Sequence, residues 1–90
     1  MYATLRYYTD PELAGKLKER SDDIKSVISG IPGFRAYYLV ESDAGTVSVS
    51  VFDDEASTKQ SNEAAASWLQ ENMPGVSAAN AVGGEVVLNF

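Results

Sequence analysis

The residues best placed to do chemistry lie on a segment from about Asp54 to Asn72 that reads as a helix. At about 100° per residue, Thr58, Ser61, Asn62, Ala65, Trp68, Leu69, Asn72 and Met73 share one side. Lys59, Gln60, Glu63, Ser67, Gln70 and Glu71 take the other. The inward side is small and polar in its first half and large and apolar only later. Ser61, Asn62 and Ala65 fill little space against a sheet. Either strand side chains such as Phe34 and Tyr38 fill that space, or a pocket opens there. Buried polar groups need partners, which a ligand or the local backbone can supply. Asn62 and Trp68 stand about 120° apart around the helix, so they can flank one groove but cannot point the same way. A second anomaly is Arg20, which falls within the apolar stripe of Leu13, Leu17, Ile24 and Val27. As a functional residue it would anchor an anionic or carbonyl-bearing ligand. The favoured reading is structural: a side chain that snorkels to solvent or pairs with a nearby carboxylate.

Other chemistry is excluded by what the chain lacks. It has neither cysteine nor histidine. Disulfides and thiolate chemistry are therefore out, and so are the commonest metal ligand and the commonest general base. No metal and no cofactor are expected. Asp53-Asp54-Glu55 resembles a cation site in composition, but acids at a helix start usually cap it. No Gly-rich phosphate loop or serine-nucleophile elbow occurs. The net charge of −6 disfavours a phosphate backbone, so nucleic acid is not an expected partner. Apolar runs are too short to span a membrane. The chain opens on a strand-like run rather than a signal-peptide pattern, and a cytoplasmic location is expected.

These side chains are positioned by six elements within one expected domain, residues 1–90. Tyr2–Tyr8 is aromatic and β-prone. Thr9-Asp10-Pro11-Glu12 opens a helix that Gly30 and Pro32 stop. Gly15 inside it costs about 1 kcal/mol relative to Ala. Phe34–Glu41 and Thr46–Phe52 form a hairpin across Ser42-Asp43-Ala44-Gly45. The Asp54–Asn72 helix follows and Pro74-Gly75 ends it. Val76–Gly83 reads as a loop, and Glu85–Phe90 as a last strand. The order βαββαβ is the ferredoxin-like α+β arrangement, a four-stranded antiparallel sheet with two helices on one face. Alternation assigns Ala3, Leu5, Tyr7, Phe34, Ala36, Tyr38, Val40, Val47, Val49 and Val51 to the face under the helices, with Val86, Leu88 and Phe90. The opposite face then carries Tyr2, Thr4, Arg6, Tyr8, Arg35, Tyr37, Leu39, Ser48, Ser50, Phe52 and Val87. So many aromatics on an open face predict homodimerisation through it. A second subunit would also relieve the small core of a 90-residue chain.

The short first strand, Ile31-Pro32-Gly33-Phe34 before the second strand, the hairpin, Phe52-Asp53-Asp54 and Trp68 together resemble the dimeric α/β-barrel superfamily. The resemblance covers nearly the whole chain. It implies a homodimer with a small-molecule pocket between the second helix and the sheet. Among its activities it includes cofactor-independent antibiotic-biosynthesis monooxygenases acting on phenolic or polyketide-like aromatics. Those enzymes use Asn, Trp, Tyr and Arg side chains to bind a phenolic substrate and stabilise its anion. On this resemblance Asn62 and Trp68 are the catalytic candidates. Tyr7, Arg20, Phe34, Tyr38 and Ser61 are the ligand-binding ones. The haem-degrading relatives' iron-ligating histidine has no counterpart here. The alternative is a non-catalytic ligand-binding or stress-responsive dimer.

Overall fold

Tyr2–Tyr8 and Gly45–Phe52 pair antiparallel along their whole length, Tyr2 opposite Phe52 and Tyr8 opposite Thr46. The computed structural model describes every residue from Met1 to Phe90. Its elements are β1 (Tyr2–Tyr8), α1 (Leu13–Glu19), α2 (Ser21–Ser29), β2 (Phe34–Ser42), β3 (Gly45–Phe52), α3 (Glu55–Asn72) and β4 (Asn80–Glu85). The four strands form one antiparallel sheet in the order β2-β3-β1-β4. This is the expected ferredoxin-like α+β arrangement, with one helix more than expected.

The extra helix comes from a break at Arg20. There the backbone leaves the helical region, and the Arg20 N–H closes a tight turn onto the Leu17 carbonyl at 3.0 Å. The polar run Lys18–Asp23 offers no apolar side chain between Leu17 and Ile24 to hold a continuous stripe. Asp22 and Asp23 restart the helix in its first turn, where the dipole favours them. Asp54 caps α3 by accepting from the Ser57 backbone N–H at 2.8 Å, as the acidic run predicts.

The main correction concerns which face of the sheet lies under the helices. Thr4, Arg6, Tyr8, Thr46, Ser48, Ser50 and Phe52 are buried beneath them. The apolar set Ala3, Leu5, Tyr7, Val47, Val49 and Val51 faces the other way, and Tyr7 is 38% exposed. The expected assignment is thus inverted for β1 and β3. Alternation separates two faces but carries no label for the inner one. The apolar face is not the inner one here because the helices cover a polar strip instead.

In β2 the outcome is mixed. Phe34 stands opposite Phe52, but Ala36 stands opposite Val51, so Arg35 is an extra residue in a bulge. Phe34 therefore lies on the helix side as expected. Tyr37 and Leu39 join it, while Ala36, Tyr38 and Val40 turn to the open face. The last strand also differs. It occupies Asn80–Glu85 because pairing with β1 starts as soon as the chain returns, Ala79 N–H to Tyr7 carbonyl at 2.8 Å. Register thus overrides the poor strand propensity of Gly83 and Gly84. Val87, Leu88 and Phe90 lie beyond it and are exposed.

Two apolar clusters pin the helices down at either side of the polar strip. One joins Tyr8, Leu13, Leu17 and Leu69. The other joins Ile28, Ile31 and Phe52. Phe34 packs edge-on against Phe52, ring centroids 5.9 Å apart.

Candidate functional site

Between the clusters lies a row of polar side chains that the helices enclose. β1 supplies Thr4 and Arg6, and β3 supplies Thr46, Ser48 and Ser50. Arg6 is the centre. Only 4% of it is exposed, yet no carboxylate pairs with it. The ion pairs of the molecule use Lys16, Arg20, Arg35 and Lys59 instead. One terminal nitrogen of Arg6 donates to Asn62 Oδ1 at 2.8 Å, the other to Ser50 Oγ at 3.1 Å. Its Nε–H has no partner, and neither do Thr46 Oγ1 and Ser48 Oγ. Such buried orphans are uncommon and call for an explanation.

Asn62 reaches this strip from α3. Its Oδ1 accepts from both Arg6 and Thr4 Oγ1, the latter at 3.1 Å. Arg6 can only donate, so the amide oxygen must face it. The Nδ2 hydrogens are thereby left for something other than Arg6 or Thr4.

Beside Arg6 a cavity of about 30 Å³ lies between helices and sheet. Leu17, Ile24, Ala65, Trp68 and Tyr37 form much of its wall, and Ser48 lines it with Arg6. It has room for a water or two. A larger groove of about 650 Å³ runs outside it, bounded by Asn62, Ala66 and the Pro74–Ala78 turn. Arg6, Tyr8 and Leu69 line both spaces. Burial raises the Tyr37 phenol above its ordinary pKa. Tyr8 adds to that rise, while the Arg6 charge and Ser48 oppose it. Ser48 favours the Tyr37 anion, although its Oγ falls short of full hydrogen-bond geometry with any partner. Tyr37 is thus a protonated hydroxyl at the cavity wall.

The expected site residues separate into groups. Asn62 and Trp68 do not meet. Asn62 faces Arg6 and the outer groove, and Trp68 faces the inner cavity. Arg20 stacks over the Trp68 ring, 5.3 Å from its centroid, and is held by Asp23 at 2.8 Å and Asn72 at 3.0 Å. Ser61 is fully buried but donates to the Thr58 carbonyl, the local backbone alternative. Phe34 lines a separate groove between β2 and the first helices. Tyr7 and Tyr38 are corrections. Both lie on the open face, Tyr38 60% exposed, because the face assignment is inverted and the bulge shifts β2.

Arg6 and Tyr37 are the residues that sequence reasoning missed as site residues. Their signal is present in the alternation of polar and aromatic types along Thr4-Leu5-Arg6-Tyr7-Tyr8 and Ser48-Val49-Ser50. It points to a buried or ligand-binding surface, but the expected face assignment sets that surface on the wrong side of the sheet.

No protein-family model matches the sequence, and no curated protein matches it. Solved structures do. The heme-degrader MhuD from Mycobacterium tuberculosis, with two hemes in its active site, superposes with a TM-score of 0.70 at 18% identity, over 100% of this chain and 99% of that one. The shared fold is the ferredoxin-like α+β arrangement. MupZ from Pseudomonas fluorescens shares the fold, with a TM-score of 0.72 at 16% identity over 91% of this chain. The chain spans 65% of MupZ's length. A candidate monooxygenase from Shewanella loihica PV-4 has a TM-score of 0.64 at 16% identity, covering 98% and 95% of the two chains. At these identities the likeness is one of fold. The ferredoxin-like fold sets a helical layer over one sheet face, and here that layer encloses Arg6. No helix is long and apolar enough to cross a membrane.

Proposed function

We propose that this chain is a small-molecule-binding protein acting as a cofactor-independent monooxygenase on phenolic or polyketide-like aromatics. The observation that carries the reading is the site around Arg6, where an apolar cavity walled by Trp68 and Tyr37 meets a groove bounded by Asn62. An aromatic substrate lies in the groove and presents its oxygen-bearing edge to Asn62 and Arg6. Asn62 Nδ2 donates to that oxygen, and Trp68 shields the inner side from water. With an anthrone, O2 oxidises the methylene carbon to a carbonyl. One oxygen atom stays on carbon, and the other leaves as water with the two methylene hydrogens. The candidate monooxygenase and MhuD on the same fold support this reading.

Oxygen uptake with anthrone and dihydroquinone substrates tests it. Consumption is expected above the buffer rate, with Asn62→Ala slowing it by about 100-fold through loss of an oxyanion donor. Trp68→Phe lowers it less. No uptake above background sinks the enzyme reading, and ligand-induced stabilisation without uptake favours the binding-only alternative.

The protein also acts as a homodimer in this proposal. Its open sheet face carries Leu5, Val47, Val49 and Val51 beside the exposed Tyr38, Val40 and Val82. A contiguous apolar face of this kind fits a second copy of the chain.

A further inference from the structure

We propose that the break between α1 and α2 is an entrance to the inner cavity, and that the Arg20 side chain is the latch that holds it shut. The entrance matters on the reading of the cavity as part of a small-molecule site, on which the inference rests.

The cavity beside Trp68 holds about 30 Å³, too little for an aromatic ring. A ring reaches Trp68 from within only if a wall moves. On the side of β2 a groove of about 710 Å³ lies against the first two helices. Leu17, Ile24, Ile28 and Tyr37 line both spaces. Three of these side chains belong to α1 and α2, so a shift of those helices would join the cavity to the groove.

The two helices are unequally held. Leu13 and Leu17 fix α1 in the cluster with Tyr8 and Leu69. The far end of α2 is fixed where Ile28 packs with Ile31 and Phe52. Its near end, Ser21, Asp22 and Asp23, is exposed, and Ile24 is only half-buried. Segments with so little buried apolar surface open most easily. The joint is Arg20, which stands between the helices at φ −109° and ψ 26°. Hinges are residues at element ends that absorb such a change of direction. Pivoting α2 about Ile28 would withdraw Ile24 from the wall.

The hinge residue also supplies the tie. Its guanidinium donates to Asp23 Oδ2 on α2 at 2.8 Å and to Asn72 Oδ1 on α3 at 3.0 Å. It covers the Trp68 ring as well, 5.3 Å from the centroid. The start of α2 is thereby fastened to the end of α3. Arg20 and Asp23 are half-exposed, and contacts of this kind are individually weak. Such a latch biases the closed form without locking it.

Two measurements on the whole chain read the open fraction independently. One is amide hydrogen exchange at Ile24–Val27 in α2. The other is binding of nitrobenzene, a neutral ring that quenches tryptophan fluorescence, with Trp68 as the only tryptophan. Asn72→Ala cuts the tie on the α3 side and leaves the sequence of α2 intact. It is expected to speed α2 exchange about 3- to 10-fold, the worth of one hydrogen bond. Nitrobenzene affinity should rise by a similar factor, because apparent affinity scales with the fraction of open molecules. Arg20→Met should act in the same direction, while β1 amides keep their unaltered rates. Faster α2 exchange without tighter nitrobenzene binding means that α2 loosens without opening the cavity, and overturns the proposal. Unchanged α2 exchange, or a rise shared with β1, overturns it too. Should either variant fail to fold, the other decides. Neither readout needs turnover, so failure of oxygen uptake and failure of the latch are told apart.

Discussion

At the scale of single residues, position in the sheet decides what a side chain can do. Tyr37 and Tyr38 are neighbours in sequence, yet one lines the cavity and the other faces outward. Burial favours the neutral phenol of Tyr37. A group whose pKa rises on folding adds stability below its ordinary pKa, and that stability drains away as the pH passes the raised value. In an ultraviolet titration, one of the five tyrosines is therefore expected to ionise late. Tyr37→Phe should remove that late step and flatten the alkaline fall in stability. A late step that persists in Tyr37→Phe contradicts the assignment. Asn62 was legible as an odd polar residue on an inward helix face, and the structure gives it a partner. Arg6 was harder to place, because an arginine flanked by Leu5 and Tyr7 points to solvent or to the interior depending on which face the helices cover.

Turn and cap chemistry is the most local information in a chain, and at the scale of elements it was read well. The hairpin and the Asp54 cap follow from it, and the inward side of α3 follows from the helical period. The break at Arg20 and the place of β4 were not legible, since both depend on partners distant in sequence. Arg20 leaves its stripe for Asp23, Asn72 and the Trp68 ring. Two glycines test the local reading in opposite directions. Gly45 closes the hairpin at φ 136°, and a Cβ there would sit 2.1 Å from the Tyr8 carbonyl oxygen. Gly45→Ala is expected to lower stability by about 1–3 kcal/mol in urea unfolding. Gly15 lies in α1, and a Cβ added to it would meet no atom within 4 Å. Gly15→Ala is expected to raise stability by about 0.5–1 kcal/mol. Equal effects of the two would mean that neither helix propensity nor turn geometry governs these sites.

At the scale of the molecule, the sheet is apolar on the side without helices, while the side under them sets a polar strip, Thr4, Arg6, Thr46, Ser48 and Ser50, among the aromatic Tyr8, Phe34 and Phe52. A free-standing domain would not leave its more apolar face open, and this was not legible because the outward apolar face looks like a core until its cover is known. In the proposed dimer this face is the interface. Sedimentation equilibrium at micromolar concentration is expected to show a dimer, and Val49→Asp a monomer, because a carboxylate in the centre of that face would be buried unpaired. A monomeric unaltered protein would remove the sheet-face dimer.

The bulge in β2 carries a last consequence. Phe34 and Tyr37 both face the helices although three positions separate them, which a regular strand forbids. Arg35 is the surplus residue, and its side chain turns to Asp53 at the surface. A shorter chain lacking Arg35 would present the same inner and outer side chains with a straighter strand. Loss of one residue anywhere from Tyr37 to Val40 would instead exchange them across the sheet for part of β2. Position 35 is thus where this protein's length is free to vary by one without rewriting its site.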